Sequence, residues 1–306
     1  MNVIEGAIVY SNLLVLLSIG LTITYITTGV PNFAQGSFAV LGSYVALTLL
    51  RFWAIHPYYS IPVAFVFGGF FGVLVYLLML RPLIERGASV VILMISTLAL
   101  DLILLGGFGA YSGFLAESTH KLATKFIFTQ YDFDIWQFSG ILFVSLAVIF
   151  VVFSGLFLLL YKTKFGVALR ASMENPSLAE VMGVNVEYTR IFSWFLSGSL
   201  ASVAGTLLPF RQEIVPLTGA LIIVSIFASS IVGGLSSIIG AVIGGYIIGF
   251  SESYLTYQLS LVLGAYVLVY SKVISLIVLV IMLLAAPRGI TGLKWGRAIW
   301  KKSSLQ

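Results

Sequence analysis

Apolar residues in this chain run on consecutive positions for longer than a half-buried strand or a surface helix allows. Taking polar or glycine/proline breaks as boundaries, the apolar segments lie near 7–28, 33–50, 60–80, 88–108, 136–161, 191–209, 218–233, 237–254 and 258–287. A bilayer core needs about 20 apolar residues per helical span. Lipid admits only helices or closed barrels, because the backbone finds no water to bond. Barrel strands alternate in polarity over about ten residues, and the stretches Ile135 to Tyr161 and Val273 to Ala286 do not alternate. The pattern predicts an all-α polytopic membrane protein. It has eight to ten transmembrane or partial helices, the last segment holds one span plus a partial helix, and residues 1–306 form a single domain.

Composition narrows the class. Charged residues make up 9% of the chain, against roughly 25% in a soluble domain, and the mean hydropathy of +1.10 is spread along the whole length. There are no cysteines, which removes disulfides, thiolate catalysis and thiolate metal sites. His56 and His120 lie in polar stretches between apolar runs, so neither a metal site nor a catalytic group is expected. Met1 to Gly6 carries Glu5 and no basic residue. A signal peptide would need a basic start, so the first segment is expected to remain as a span.

The net charge of +5 is placed as topology would place it rather than as a nucleic-acid surface. Arg81 and Arg86 flank one break; Lys162, Lys164, Arg170 and Arg190 lie in a second; Arg288, Lys294, Arg297, Lys301 and Lys302 follow the last span. These hold 11 of the 16 basic residues. Short cytoplasmic loops are enriched in Lys and Arg, so the 162–190 loop and the C-terminus are expected inside and the 109–135 loop outside. The side of the N-terminus depends on whether 28–36 is a full loop or a break within the membrane.

The 162–190 loop reads as carrying a short capped helix over Glu174 to Gly183. Asn175 suits the N-cap, Pro176 the first helical position and Gly183 the C′ position. Leu178, Val181 and Met182 fall at i, i+3 and i+4 and share one face of it. Two turns bury too little area to hold a membrane surface alone, which favours a helix that docks into a groove on a cytoplasmic partner. No Gly-x-x-x-x-Gly-Lys-Ser/Thr phosphate loop occurs, so an energy source, if ATP, is expected on a partner.

Tyr161-Lys-Thr-Lys-Phe-Gly-Val-Ala-Leu-Arg-Ala-Ser-Met-Glu-Asn-Pro, followed by Leu-Ala-Glu-Val-Met-Gly-Val-Asn-Val, resembles the cytoplasmic loop of the branched-chain amino acid ABC permeases of the LivH type. The resemblance extends to Gly29-Val-Pro-Asn-Phe-Ala-Gln-Gly-Ser, Arg81-Pro82, the Ser193 to Gly205 run, Ile231-Val-Gly-Gly-Leu-Ser-Ser-Ile-Ile-Gly-Ala-Val-Ile-Gly-Gly and Pro287-Arg-Gly-Ile-Thr-Gly. It covers most of the chain in order and is weakest over 106–140. It implies that residues 174–183 are the helix receiving the stroke of separate ATPase subunits, Ala179 and Gly183 standing where importer permeases carry Glu-Ala-Ala-x-x-x-Gly. It further implies a second permease subunit (LivM-like) or a second copy, an extracytoplasmic binding protein that does most of the selecting, and branched-chain amino acids or a related small polar solute as cargo. ATP would be used by the partners; no cofactor, metal or nucleic acid is expected on this chain.

Other features stand independently of the family. Gly29, Pro31 and Gly36 interrupt the first half, and Pro209, Pro216 and Gly219 the second. Broken membrane helices in both halves point to a route near the midplane. Asn32, Gln35 and Ser37 are the polar side chains expected beside it, with surface helix capping as the alternative. Gly233, Gly234, Gly240, Gly244, Gly245 and Gly249 form a small-residue ladder expected to pack helices closely. Glu252, near a segment end, reads as interfacial. Asp101, about 13 residues or roughly 20 Å into its span, lies past the midplane, where the resemblance implies an uncharged residue, and no paired intramembrane charges are evident. A secondary transporter or channel remains as the alternative, and an enzyme is the poorest reading.

Overall fold

The computed structural model describes residues 2–174, 176–286 and 289–292. Its helices are α1 (Val3–Thr28), α2 (Gln35–Trp53), α3 (Pro57–Glu85), α4 (Val90–Thr119), α5 (Gly140–Lys162), α6 (Lys164–Glu174), α7 (Pro176–Val181), α8 (Val186–Leu207), α9 (Thr218–Gly233), α10 (Ile238–Leu263) and α11 (Ser271–Ala285). Among the described residues seven apolar helices are long enough to cross a bilayer, and α9 and α11 are shorter apolar helices. This is a multi-pass membrane protein of the all-α kind.

Two boundaries differ from the hydropathy pattern. The start of the 258–287 segment is not a partial helix of its own but completes α10, which ends where Gly264 takes φ +105°. The fourth span continues to Thr119 rather than stopping near 108, because Gly106, Gly107 and Gly109 sit inside a helix that they do not break. Intramembrane glycines are tolerated in this way. The loop thus begins at His120 and folds into a hairpin of β1 (Asp134–Ile135) and β2 (Phe138–Ser139). It is fastened by a bridge between Phe126 and Ile214.

The two halves of the bundle repeat one another upside down. α2 stands as far along the chain from α1 as α9 does from α8, with starts at Val3 and Gln35 and at Val186 and Thr218. α1 and α8 are antiparallel: Gly20 lies against Ser197, and the Thr27 carbonyl accepts from Arg190 Nε at 3.5 Å. α3 packs on α8 through Gly68, Gly69 and Gly72, while α10 packs on α1 through Gly245 and Gly249. Each of these third helices carries one π-helical segment, Tyr76–Leu80 in α3 and Ser251–Leu255 in α10.

Glycine sets the distances. A Cβ on Gly205 would fall on the Ala39 carbonyl, and one on Gly42 on the Ser202 carbonyl. Within the ladder, Gly233 and Gly240 approach each other backbone to backbone, Gly244 meets Ser229, and Gly245 and Gly249 meet Val15 and Ser11. Gly234 instead serves the turn after α9, with φ +103°. We predict that Gly205→Val costs about 1–3 kcal/mol by forced overpacking, read as a lower Tm in detergent. Gly109→Val, where nothing lies within 4 Å, should leave Tm within about a degree; equal losses at both sites would refute this account of the packing.

Candidate functional site

Both α2 and α9 begin inside the bundle. The Gln35 side chain, at the first turn of α2, donates to the Leu17 carbonyl near the middle of α1 at 3.4 Å and accepts from Ser197 Oγ of α8 at 3.0 Å. The segment 29–34 is therefore a break within the membrane region, entered through Gly29 at φ +70°. Gly36 in the first turn of α2 meets Gly219 in the first turn of α9, with no room for a Cβ on either. Helix N-termini carry partial positive charge, and two of them are held together here.

Asn32, Gln35 and Ser37 are brought together at this point, and all three are buried. Asn32 Nδ2 donates to Gln35 Oε1 at 3.1 Å, and Asn32 Oδ1 accepts from the Ala34 amide at 3.0 Å. Ser37 Oγ donates to Asp101 Oδ1 at 2.5 Å. Asp101 thus sits beside the first turn of α2, where the helix dipole favours a carboxylate. That explains a charge in a span where an uncharged residue was expected.

The polar 163–185 segment is built from two helices. The first, α6, was not read from the sequence. Its Arg170 donates through Nη1 to the Leu160 carbonyl at 2.7 Å and lies over the Tyr161 ring, and Phe165 packs at a tilt against Phe192 of α8 with ring centroids 4.4 Å apart. Glu174 ends α6 and Pro176 opens α7; Asn175 lies outside the described residues. Gly183 closes the turn at φ +85°, and Val184 N–H donates to the Ala179 carbonyl at 2.9 Å. Ala179 is buried, whereas Leu178, Val181 and Met182 are 59%, 83% and 78% exposed. The basic residues of two breaks share this end of the bundle: Arg81 lies 3.3 Å from Glu187, and Tyr76 OH donates to Glu187 at 2.9 Å. Arg288 and the basic residues after it lie outside the described residues.

At the opposite end is a charge cluster that the sequence reading missed. Glu252, expected to be interfacial, is 4% exposed. Its Oε1 accepts from Tyr10 OH at 2.9 Å and from Lys272 Nζ at 2.5 Å, and its Oε2 from Ser225 at 2.6 Å and Ser275 at 2.5 Å. A paired intramembrane charge therefore exists, contrary to expectation. The signal was Lys272, a lone cation in an apolar run, which is costly in lipid unless paired. Arg211, just past α8, donates from Nε to the Gly6 carbonyl at 3.1 Å and from Nη2 to Ser253 Oγ at 3.0 Å. Burial pulls its guanidinium below the ordinary value, yet an arginine stays charged in proteins.

Among the described residues no group of three or more His, Cys, Asp or Glu could hold a metal ion. Most of the polar groups inside the bundle orient helices and bond one another, Thr22 Oγ1 and Trp194 Nε1 being buried without a hydrogen-bond partner. What the arrangement offers is a broken-helix centre between inverted halves and an exposed two-turn helix at one end, the parts of a transport device.

Comparison with known proteins agrees. Over 293 residues the chain is 64% identical to the protein called "Probable branched-chain amino acid transport permease protein LivH" of Methanocaldococcus jannaschii, covering 96% of this chain and 93% of that one. It is 27% identical over 289 residues to the "High-affinity branched-chain amino acid transport system permease protein BraD" of Pseudomonas aeruginosa, with 90% and 91% covered. The LivH protein of Escherichia coli is 26% identical over 295 residues, with 90% of each chain covered. No solved structure matches. Residues 3–285 match the family described as the branched-chain amino acid transport system permease component, and the chain, with its apolar helices arranged around a broken-helix centre, belongs to that family.

Proposed function

We propose that this chain is the membrane-spanning permease subunit that carries branched-chain amino acids inward, driven by separate ATPase subunits that dock on the 163–185 segment from the cytoplasmic side. The observation that carries the reading is α7. Val181 at its end and Met182 just after it are exposed, while Ala179 within it is buried. Exposed apolar side chains on a short rigid helix are what a groove on a partner needs. The embedded face of α6 gives that helix something to push against, since Phe165 and Arg170 join it to α8 and α5.

The basic residues gathered at this end support its placement inside. Force arriving at α7 would pass into α8, which packs on α1, α2 and α3. Inverted halves around a fixed centre suit rocking of one against the other, and the Gly36–Gly219 contact would be the point about which they move. Asn32, Gln35 and Ser37 are buried in the single chain, so they would act on a solute only as the two halves part. A second permease subunit would complete the path, and a binding protein would deliver to the end that carries the Phe126 loop.

Met182→Ala should weaken ATPase binding by about 2 kcal/mol, or some thirtyfold, and Gly183→Val should uncouple hydrolysis from uptake by straining the left-handed turn. The check is ATPase binding and leucine import measured together on the reconstituted complex; normal values for both variants would reduce α7 to an interfacial segment. For topology, the chain has no cysteine, so single cysteines report cleanly. Glu180→Cys should resist an impermeant thiol reagent applied to intact cells, whereas Trp136→Cys, at a site 98% exposed, should react. The reverse result would invert the assignment of sides.

A further inference from the structure

At the end away from α7, a cavity of about 240 Å³ opens between α1, α10 and α11, lined by Tyr10, Arg211, Gln212, Ser253, Ser271 and Lys272 beside the Glu252 carboxylate. Its charges do not balance. Each oxygen of Glu252 already accepts two hydrogen bonds, and its negative charge is matched by Lys272 at 2.5 Å. The neighbouring carboxylate in the chain, Glu213, is turned to Lys125 at 2.9 Å. Arg211 is left with a carbonyl, a hydroxyl and the Tyr10 ring at 6.0 Å as partners, and among the described residues no carboxylate lies within ion-pair distance of it.

A guanidinium has five N–H donors in a rigid fork that matches a planar oxyanion. Two of the five are used here, and the rest belong to a group on the wall of a polar cavity. A half-buried cation without a counter-ion is expensive next to lipid, and an entering anion would relieve that cost. The cavity lies at the level of the first turns of α1, since Arg211 bonds the Gly6 carbonyl. In the orientation proposed above, that is the face on which solute arrives.

We propose that this cavity is a carboxylate-binding site, where Arg211, helped by Gln212 and Ser271, holds the carboxylate of an amino acid before it moves inward. The assignment of the ligand as an amino acid rests on the transport reading; the preference for a carboxylate rests on the cavity alone. The Glu252–Lys272 pair is then the wall that keeps Arg211 the sole unmatched charge, since Lys272 is spent on Glu252.

The test uses the purified full chain in phosphatidylcholine nanodiscs, with Tm and equilibrium binding read for three probes: acetate, L-leucine and L-leucinamide. Acetate and leucine should raise Tm and leucinamide, which lacks the carboxylate, should not. Arg211→Gln should weaken leucine binding by about tenfold or more, the scale of a hydrogen bond to a charged group. Because that variant also loses the bonds to Gly6 and Ser253, Gln212→Leu and Ser271→Ala serve beside it, and they should weaken leucine while leaving the unliganded Tm in place. Equal shifts by leucinamide and leucine, or full leucine binding in all three variants, would overturn the proposal. So would a Tm shift produced by phosphatidylglycerol nanodiscs and by no soluble probe, which would make the cavity a lipid-headgroup site. Leucine uptake by the assembled complex is measured in parallel: acetate binding without leucine uptake would sink the transport reading and leave the site, and uptake without any carboxylate binding would do the opposite.

Discussion

A helix that starts inside a bilayer leaves its first N–H groups with no water to bond, and much of this fold can be traced to how two such starts are satisfied. At α2 the work is shared between the entering segment and α4: Ala34 N–H donates to Asn32 Oδ1, Gln35 N–H to the Asn32 carbonyl and Phe33 N–H to Thr97 Oγ1. At α9, Thr218 N–H donates to the Val215 carbonyl, while on the approach to the helix Val215 N–H donates to Thr218 Oγ1 and Ile214 N–H to the Phe126 carbonyl. With the segments that lead into them fastened in this way, the two helix ends can meet directly, and glycine at both positions lets them do so. The close packing of α8 against α2 and α3 holds them in that place.

The same economy governs the ionised groups. Asp101 sits against the positive end of α2 through Ser37. Glu252 is surrounded by a lysine, a tyrosine and two serines. Neither is a bare charge in lipid, and each links elements distant in sequence. Glu252 lies in the π-helical segment of α10, where a wider turn changes the direction of the side chains that follow. The corresponding segment of α3 places Tyr76 against Glu187 and Trp194. Each half therefore carries its polar tie at the wide turn of its third helix.

Most of the helices were legible because a membrane imposes length and continuity on the apolar pattern. The breaks at Pro31 and Pro216 and the turn at Gly183 were legible for a similar reason, since proline and glycine act through their own backbone. What could not be read depends on spatial neighbours. Lys272 has no sequence feature that names Glu252 as its partner, and Arg211 resembles any basic residue at a span end until Gly6 and Ser253 are seen beside it. Helix α6 was hidden because its short amphipathic pattern lies between two basic stretches that read as loop. The reach of α4 to Thr119 was hidden by glycines that ordinarily mark an end.

The crossed packing of the halves also bears on how the chain is made. A growing polypeptide enters the membrane N-terminal end first. The glycine face of α3, Gly68 to Gly72, is completed by α8, and the face of α1 around Val15 is completed by α10. When α1 to α3 leave the insertion machinery, their main partners have not been synthesised. The early helices must then wait in the bilayer as loosely associated segments, with backbone-deep grooves filled by lipid. The central contact can close only when α8 and α9 arrive. Biogenesis of this protein is therefore expected to be a late, single locking event rather than a stepwise addition of hairpins, and a ribosome stalled before α8 would leave a bundle open to quality-control proteolysis.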